Sequence, residues 1–241
     1  MKKAIIIGAS SGLGKEVTKL LLADGWRLGI AARRIDRLEE IKTQSPGNVE
    51  TQALDVTSDD AQQQLYALIE KVDGMDLLFY ASGVGNQNME LTPDIELHTV
   101  ATNGMGFTRM IGAAYRYMAE HGGGHIAAIS SIAGTKGLGA APAYSATKAF
   151  QNTYIQSLEQ QARMRGLNIT FTDLRPGFVA TALLGDNPKY PMLLQPEKVA
   201  KEMIRAIYRR KHVWVIDWRW RIVTAMWRRI PRCLWRNLKV K

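Results

Sequence analysis

Short apolar runs and segments of helical period take turns along this chain, and no other feature narrows its fold as much. Residues 4–7 form a brief isoleucine-rich run closed by Gly8, the pattern of a buried strand. Residues 15–23 then place Val17, Leu20 and Leu21 at helical spacing and stop near Gly25. The pair recurs as strand 27–31 with helix 35–43, strand 49–54 with helix 59–71, and strand 76–80 with helices over 93–102 and 105–121, broken or kinked around Gly104 and Gly106. Strand 125–129 precedes a long helix over 144–165, and strand 169–174 precedes helix 197–209 and a last strand at 213–216. A strand that must pass through a helix before meeting the next strand pairs with it in parallel. The expectation is a doubly wound α/β fold, a parallel sheet of about seven strands with helices on both faces. No repeat or linker interrupts it, so residues 1–216 are read as one domain and 217–241 as a tail.

The first strand and helix are joined by "IIIGASSGLGKEV", which sets Gly8, Gly12 and Gly14 at the junction. Glycine lets a backbone turn tightly and approach a pyrophosphate, whose charge then rests on the helix N-terminus. Ser10, Ser11 and Leu13 belong to the same expected contact. The spacing is G-x3-G-x-G, so the generic G-x-G-x-x-G pattern is not met, and a tight turn without ligand is the alternative. At the end of the second strand, "GIAARRIDR" offers Arg33 and Arg34 where an acid would bind a ribose 2′-hydroxyl; Asp36 comes too late. Arginine there pairs with a 2′-phosphate, which favours NADP(H) over NAD(H). The alternative is a pair of solvated residues at a helix start.

"AYSATKAF" places Tyr144 and Lys148 one helical turn apart on one face. A phenol is a poor acid at neutral pH; a nearby ammonium favours its anion and eases proton exchange with a carbonyl or alcohol oxygen. A serine from "ISSIAG" at the end of the fifth strand can hold that oxygen.

Gly8-x3-Gly12-x-Gly14, Asn103, Ser131, Tyr144-x-x-x-Lys148 and Pro176-Gly177 follow the order and spacing of the short-chain dehydrogenase/reductase family, which the chain resembles to about residue 216. The resemblance implies a Rossmann-like fold and NADP(H)-dependent interconversion of a ketone and a secondary alcohol. It selects Ser131, thirteen residues before Tyr144, over Ser130. It makes Tyr144 the general acid in reduction, and has Lys148 lower the tyrosine's pKa and bind the nicotinamide ribose. Ser131 positions the carbonyl and Asn103 holds a water in the proton relay. Asp55 and Val56 match the adenine contact, Ala81 lies beside the cofactor, and Pro176, Gly177, Val179 and Thr181 match the turn along the nicotinamide. The resemblance also implies a homodimer or homotetramer through the helices around 105–121 and 144–165. One departure is "YASG" at residues 80–83, where the family usually has Asn-Asn-Ala-Gly.

Substrate identity in such folds lies in the loops beyond the strand ends, here 84–93, 134–142 and 180–196. The last carries Leu183, Leu184, Tyr190, Met192, Leu193 and Leu194, which favours an apolar, lipid-like or sterol-like substrate. His98, His121, His125 and His212 lack metal-ligand spacing, so no metal is expected. The lone Cys233 suits a reducing compartment. With no run long enough for a signal or a spanning helix, the expected location is cytoplasmic.

The net charge of +10 is uneven. From Arg205 onward there are twelve Lys/Arg and one Asp, leaving twenty bases against twenty-one acids before it. Five of the six tryptophans lie in the same final stretch. A near-neutral body excludes a basic nucleic-acid face, and no nucleic-acid partner is expected. Within 221–230, Ile222, Val223, Met226, Trp227 and Ile230 share one helical face, with Arg221, Thr224 and Arg228 on the other; Leu234, Trp235 and Leu238 continue past Pro231. Tryptophan and arginine on an amphipathic helix suit an anionic membrane surface, on the inner face of the cell membrane. The alternative is a helix docked on the body or on a second subunit, the enzyme then being a soluble broad-range carbonyl reductase. A rival from another class is a dinucleotide-binding regulator or membrane scaffold.

Overall fold

Seven strands pair into one all-parallel sheet in the order β3-β2-β1-β4-β5-β6-β7. The computed structural model describes residues 1–184 and 190–238. The strands are β1 (Lys3–Ile7), β2 (Arg27–Ala32), β3 (Val49–Ala53), β4 (Leu77–Tyr80), β5 (Gly124–Ile129), β6 (Ile169–Arg175) and β7 (Val213–Val215). The helices between them are α1 (Gly12–Ala23), α2 (Ile35–Gln44), α3 (Ala61–Val72), α4 (Pro93–Val100), α5 (Phe107–Glu120), α6 (Pro142–Met164) and α7 (Pro196–Tyr208). The doubly wound parallel sheet expected from the alternation is the fold observed.

Successive strand residues face opposite sides, so a strand buried on both must be apolar throughout. In β1, Ile5 and Ile7 join a cluster with Leu65, Leu68, Met110 and Ile155, while Ala4 and Ile6 join another with Val17, Leu21, Leu38 and Met203. Helices α3, α5 and α6 thus cover one face, and α1, α2 and α7 the other. The order reverses between β1 and β4, and the chain leaves both strands at the crevice this creates. In such sheets ligands bind there.

Around Gly104 and Gly106, where a break or kink is expected, the helix is continuous but irregular. A π-helical turn over Ala101–Gly106 joins α4 to α5. Gly106 serves close packing: a Cβ there would sit 2.7 Å from Val56 Cγ2. The widened turn carries Asn103, fully buried. Tyr80, the first residue of the "YASG" departure, is also fully buried and meets Phe107 edge-on at 5.2 Å between ring centres.

Beyond β7, α8 (Trp218–Arg229) and α9 (Arg232–Trp235) return across the body. Trp220 is 2% exposed. It meets Phe178 at 5.6 Å and Trp227 at 6.4 Å, and Trp227 meets Trp235 at 5.4 Å. Lys136 Nζ donates to the Ile230 carbonyl at 3.0 Å, and Trp235 Nε1 to the Gly137 carbonyl at 2.8 Å. Two details differ from the expected faces of this helix. Thr224 is buried, because its hydroxyl donates to the Trp220 carbonyl at 2.8 Å and needs no water. Ile222 and Met226 point outward instead. Among the described residues no helix is long and apolar enough to cross a membrane.

Candidate active site

The chain leaves β1 through Gly8 at φ +93°, a conformation that disfavours any side chain. A Cβ on Gly14 would lie 2.1 Å from the Gly8 carbonyl oxygen, so the helix begins against its own loop only because that position is glycine. At the start of α1 the first-turn N–H groups have no partner within the helix. Ser11, the N-cap, gives them no side-chain bond, and no acid occupies the first turn. That is an anion site built from backbone donors. The Ser10 and Ser11 hydroxyls instead accept from Arg34 Nη2 at 3.2 and 3.0 Å, holding the guanidinium over the loop.

Arg33 lies on the other side, toward Asp55. Burial acts against the Asp55 carboxylate, but bonds from the Thr57 N–H and hydroxyl, with the Arg33 charge, hold it below the usual carboxylate range. Asp36 stands in the first turn of α2, exposed, 3.8 Å from Arg37.

Pro142, with its preset φ, opens α6, and the next turn presents Tyr144 and Lys148. Ser131 follows the end of β5. The Lys148 ammonium lies 5.7 Å from the Tyr144 ring centre. It is 5% exposed and donates to the Ile129 carbonyl at 3.2 Å and to Gln151 Oε1 at 3.0 Å. Burial lowers its pKa to about 8, against the pull of Asp173. Burial raises the Tyr144 phenol, and the Ser131 hydroxyl works the other way. Behind Lys148, Asp173 is buried, bonded to the Ser130 hydroxyl, and paired with Arg175 Nε at 2.7 Å. Both serines line the cavity, but the Ser130 hydroxyl is engaged with Asp173, whereas the Ser131 hydroxyl meets Tyr144.

Asn103 stands behind the wall. Its side chain clamps Val84, accepting from the backbone N–H at 2.9 Å and donating to the carbonyl at 2.7 Å. Its own carbonyl accepts from Gln151 Nε2 at 2.8 Å. The Gln151 amide thus links Lys148 to Asn103. Gln151 is fully buried; only its place one turn beyond Lys148 could have pointed to it.

One cavity of about 1220 Å³ joins these parts. Gly8, Ser10, Ser11, Gly12, Leu13, Gly14, Arg33, Asp55, Val56 and Ala81 line it, as do Ser131, Tyr144, Lys148, Pro176, Gly177, Val179 and Thr181. Every predicted site residue is there except Asn103. So are Trp220, Val223 and Trp227 of α8, which the sequence did not assign to the site. Of the expected substrate loop, residues 185–189 lie outside those described.

The model of the short chain dehydrogenase family matches residues 2–190. The chain is a short-chain dehydrogenase.

This short-chain dehydrogenase is therefore an oxidoreductase acting on alcohol or carbonyl groups. It is 32% identical over 240 residues to an oxidoreductase of Myxococcus xanthus, covering 97% of this chain and 94% of that one. A serine dehydrogenase in its closed form, complexed with NADP+, is 25% identical with a TM-score of 0.77, over 85% of this chain and 88% of that one. An alcohol dehydrogenase of Thermococcus sibiricus, complexed with 5-hydroxy-NADP, shares the fold at a TM-score of 0.78, with 24% identity, over 90% of this short-chain dehydrogenase and 96% of that chain.

Proposed function

We propose that this short-chain dehydrogenase uses NADP(H) to interconvert a ketone and a secondary alcohol on an apolar substrate, with Tyr144 as general acid and base. One observation carries the reading: Tyr144, Ser131 and Lys148 line the same cavity as the glycine loop and an apolar wall. The glycine loop, Arg33 and Arg34 line it. So do apolar Phe178, Leu183, Leu184, Met192, Trp220 and Trp227.

The residues fit a dinucleotide. The α1 amides and the side-chain-free approach at Gly8 and Gly14 would hold its pyrophosphate, and Arg33 and Arg34 a 2′-phosphate. Asp55, Val56 and Ala81 would border the adenosine, and Pro176, Gly177, Val179 and Thr181 the nicotinamide. Bound there, the nicotinamide would accept or supply a hydride. The Ser131 hydroxyl orients the substrate oxygen, and the Tyr144 hydroxyl donates its proton to that oxygen in reduction and recovers it in oxidation. Lys148 places a positive charge beside the phenol and so favours the anion left after donation. Asn103 and Gln151 position Lys148. NADP-bound structures of similar fold support the cofactor reading. Assembly as a homodimer or homotetramer accords with exposed Phe150 on α6 and exposed Met105 in the π-helical turn.

The test is ketone-dependent consumption of NADPH, measured beside NADH across a series of apolar ketones. Equal or better use of NADH would overturn the cofactor preference, and turnover confined to small polar ketones would overturn the substrate class. Replacing both Arg33 and Arg34 by alanine is expected to raise KM for NADPH by roughly tenfold to a hundredfold, the value of one or two charge-assisted bonds, while KM for NADH stays put. Lys148 carries its proton below about 8 and loses it as pH rises through that value. A stopped-flow pH profile of kcat/KM for reduction should therefore fall across that range, and a flat profile to strong alkali would contradict the role given to Lys148.

A further inference from the structure

Helix α8 has two apolar faces, and only one of them meets the body. Trp220, Val223, Thr224 and Trp227 turn inward. On the opposite side Trp218, Ile222 and Met226, one turn apart, are 65%, 52% and 62% exposed. Arg221, Arg228 and Arg229 flank this stripe, and Arg232 and Arg236 follow it with exposed Leu234 and Leu238. Among the described residues, Arg228, Arg229, Arg232 and Arg236 pair with no carboxylate. We propose that this outer face docks on an anionic lipid bilayer, α8 lying flat in the interface with Trp218, Ile222 and Met226 below the headgroups and the arginines among them.

Three arguments favour a bilayer over other occupants. A face-to-face pair of copies would bring two arginine-rich stripes together, and the remainder of each chain, with twenty bases and twenty-one acids, has an excess of a single acid to set against them. Nucleic acid would find aliphatic Ile222, Met226 and Leu234 in the stripe, which do not stack on bases. A helix with an apolar strip, cationic flanks and too little hydrophobicity to span matches the energetics of interfacial binding. The surface stands independently of the reaction proposed above. It also has a consequence for it: the cavity wall and the lipid-facing surface are two sides of one helix, about 10 Å thick.

The experiment is flotation of the full chain with vesicles of phosphatidylcholine alone or with phosphatidylglycerol, at low and high salt. Truncating the tail is unsuitable, because α8 completes the cavity; point variants on the outer face are used instead. The full chain should float with the anionic vesicles only, and less at high salt. The variant Trp218→Ser, Ile222→Ser, Met226→Ser should bind at least about tenfold more weakly while NADPH binding is unchanged. Arg228→Gln, Arg229→Gln, Arg232→Gln should lose the preference for anionic vesicles. No flotation of the full chain, or equal flotation of the serine variant, overturns the proposal. So does a serine variant that floats normally but sediments as a smaller species, which would give the stripe to a second copy.

Discussion

Tyr144→Phe is expected to lower kcat for ketone reduction by roughly a hundredfold to ten-thousandfold, the span attributable to a positioned general acid. The variant keeps the ring, its place on α6 and its contact with the cavity, and loses only the hydroxyl. Nucleotide binding, followed by quenching of tryptophan fluorescence, should stay within a factor of two or three. Burial holds the phenol above its ordinary titration range, so the wild-type group is protonated at neutral pH and ready to donate. With the hydroxyl gone, Ser131 can still orient the substrate oxygen but no adjacent side chain can protonate it. Turnover that survives in the variant would move the proton donor elsewhere. Loss of nucleotide binding with loss of turnover would show damage to the site, and Tyr144→Phe would then say nothing in favour of acid catalysis.

Trp220→Ala should be the most destabilising single change in the final helices. Trp220 is 2% exposed, and a Cβ on Gly177 would lie 2.2 Å from its indole nitrogen, so the ring rests directly on the turn after β6. Truncating a buried aromatic side chain costs about 3–5 kcal/mol, which in a chain of this size lowers the melting temperature by roughly 10 °C. Trp218→Ala, on the exposed face of the same helix, should change stability by less than about 0.5 kcal/mol. Trp220→Phe separates packing from polarity. Trp220 Nε1 finds no acceptor among the described residues, so a variant that keeps the ring but shifts KM would assign that N–H to a bound molecule. Equal melting temperatures for the Trp220 and Trp218 alanine variants would mean that α8 does not hold the wall.

Most of the sheet could be read in advance because both faces of every central strand are covered. Ile5, Ile6 and Ile7 must all be apolar, whichever way each one points, so the run itself is the signal. The pair Tyr144 and Lys148 was legible for a similar reason: they are one turn apart, and helical geometry alone brings them together. Asn103 illustrates the limit. Glycines nearby suggested a break or kink, whereas Gly106 is there so that Val56 can come close, and the helix passes through as a π-helical turn. Helix α8 illustrates another. Periodicity shows that a helix has faces, but not which face meets the body when both carry tryptophan. Thr224, grouped by polarity with the arginines, is buried because its hydroxyl is satisfied within its own helix. Gln151 carried no mark beyond its place one turn after Lys148; its part depends on Asn103, which only the folded chain brings to its other end.

Synthesis runs from the N- to the C-terminal side, and that direction gives α8 a temporal meaning. The glycine loop, Ser131, Tyr144 and Lys148 have all been made, and β1 to β6 can be paired, before Trp220 and Trp227 are added to the chain. A nascent chain at that stage would own every group proposed to move a proton while lacking one side of the chamber that confines the substrate. Competence for the proposed reaction therefore arrives with the closing wall and not with the residues proposed to move the proton.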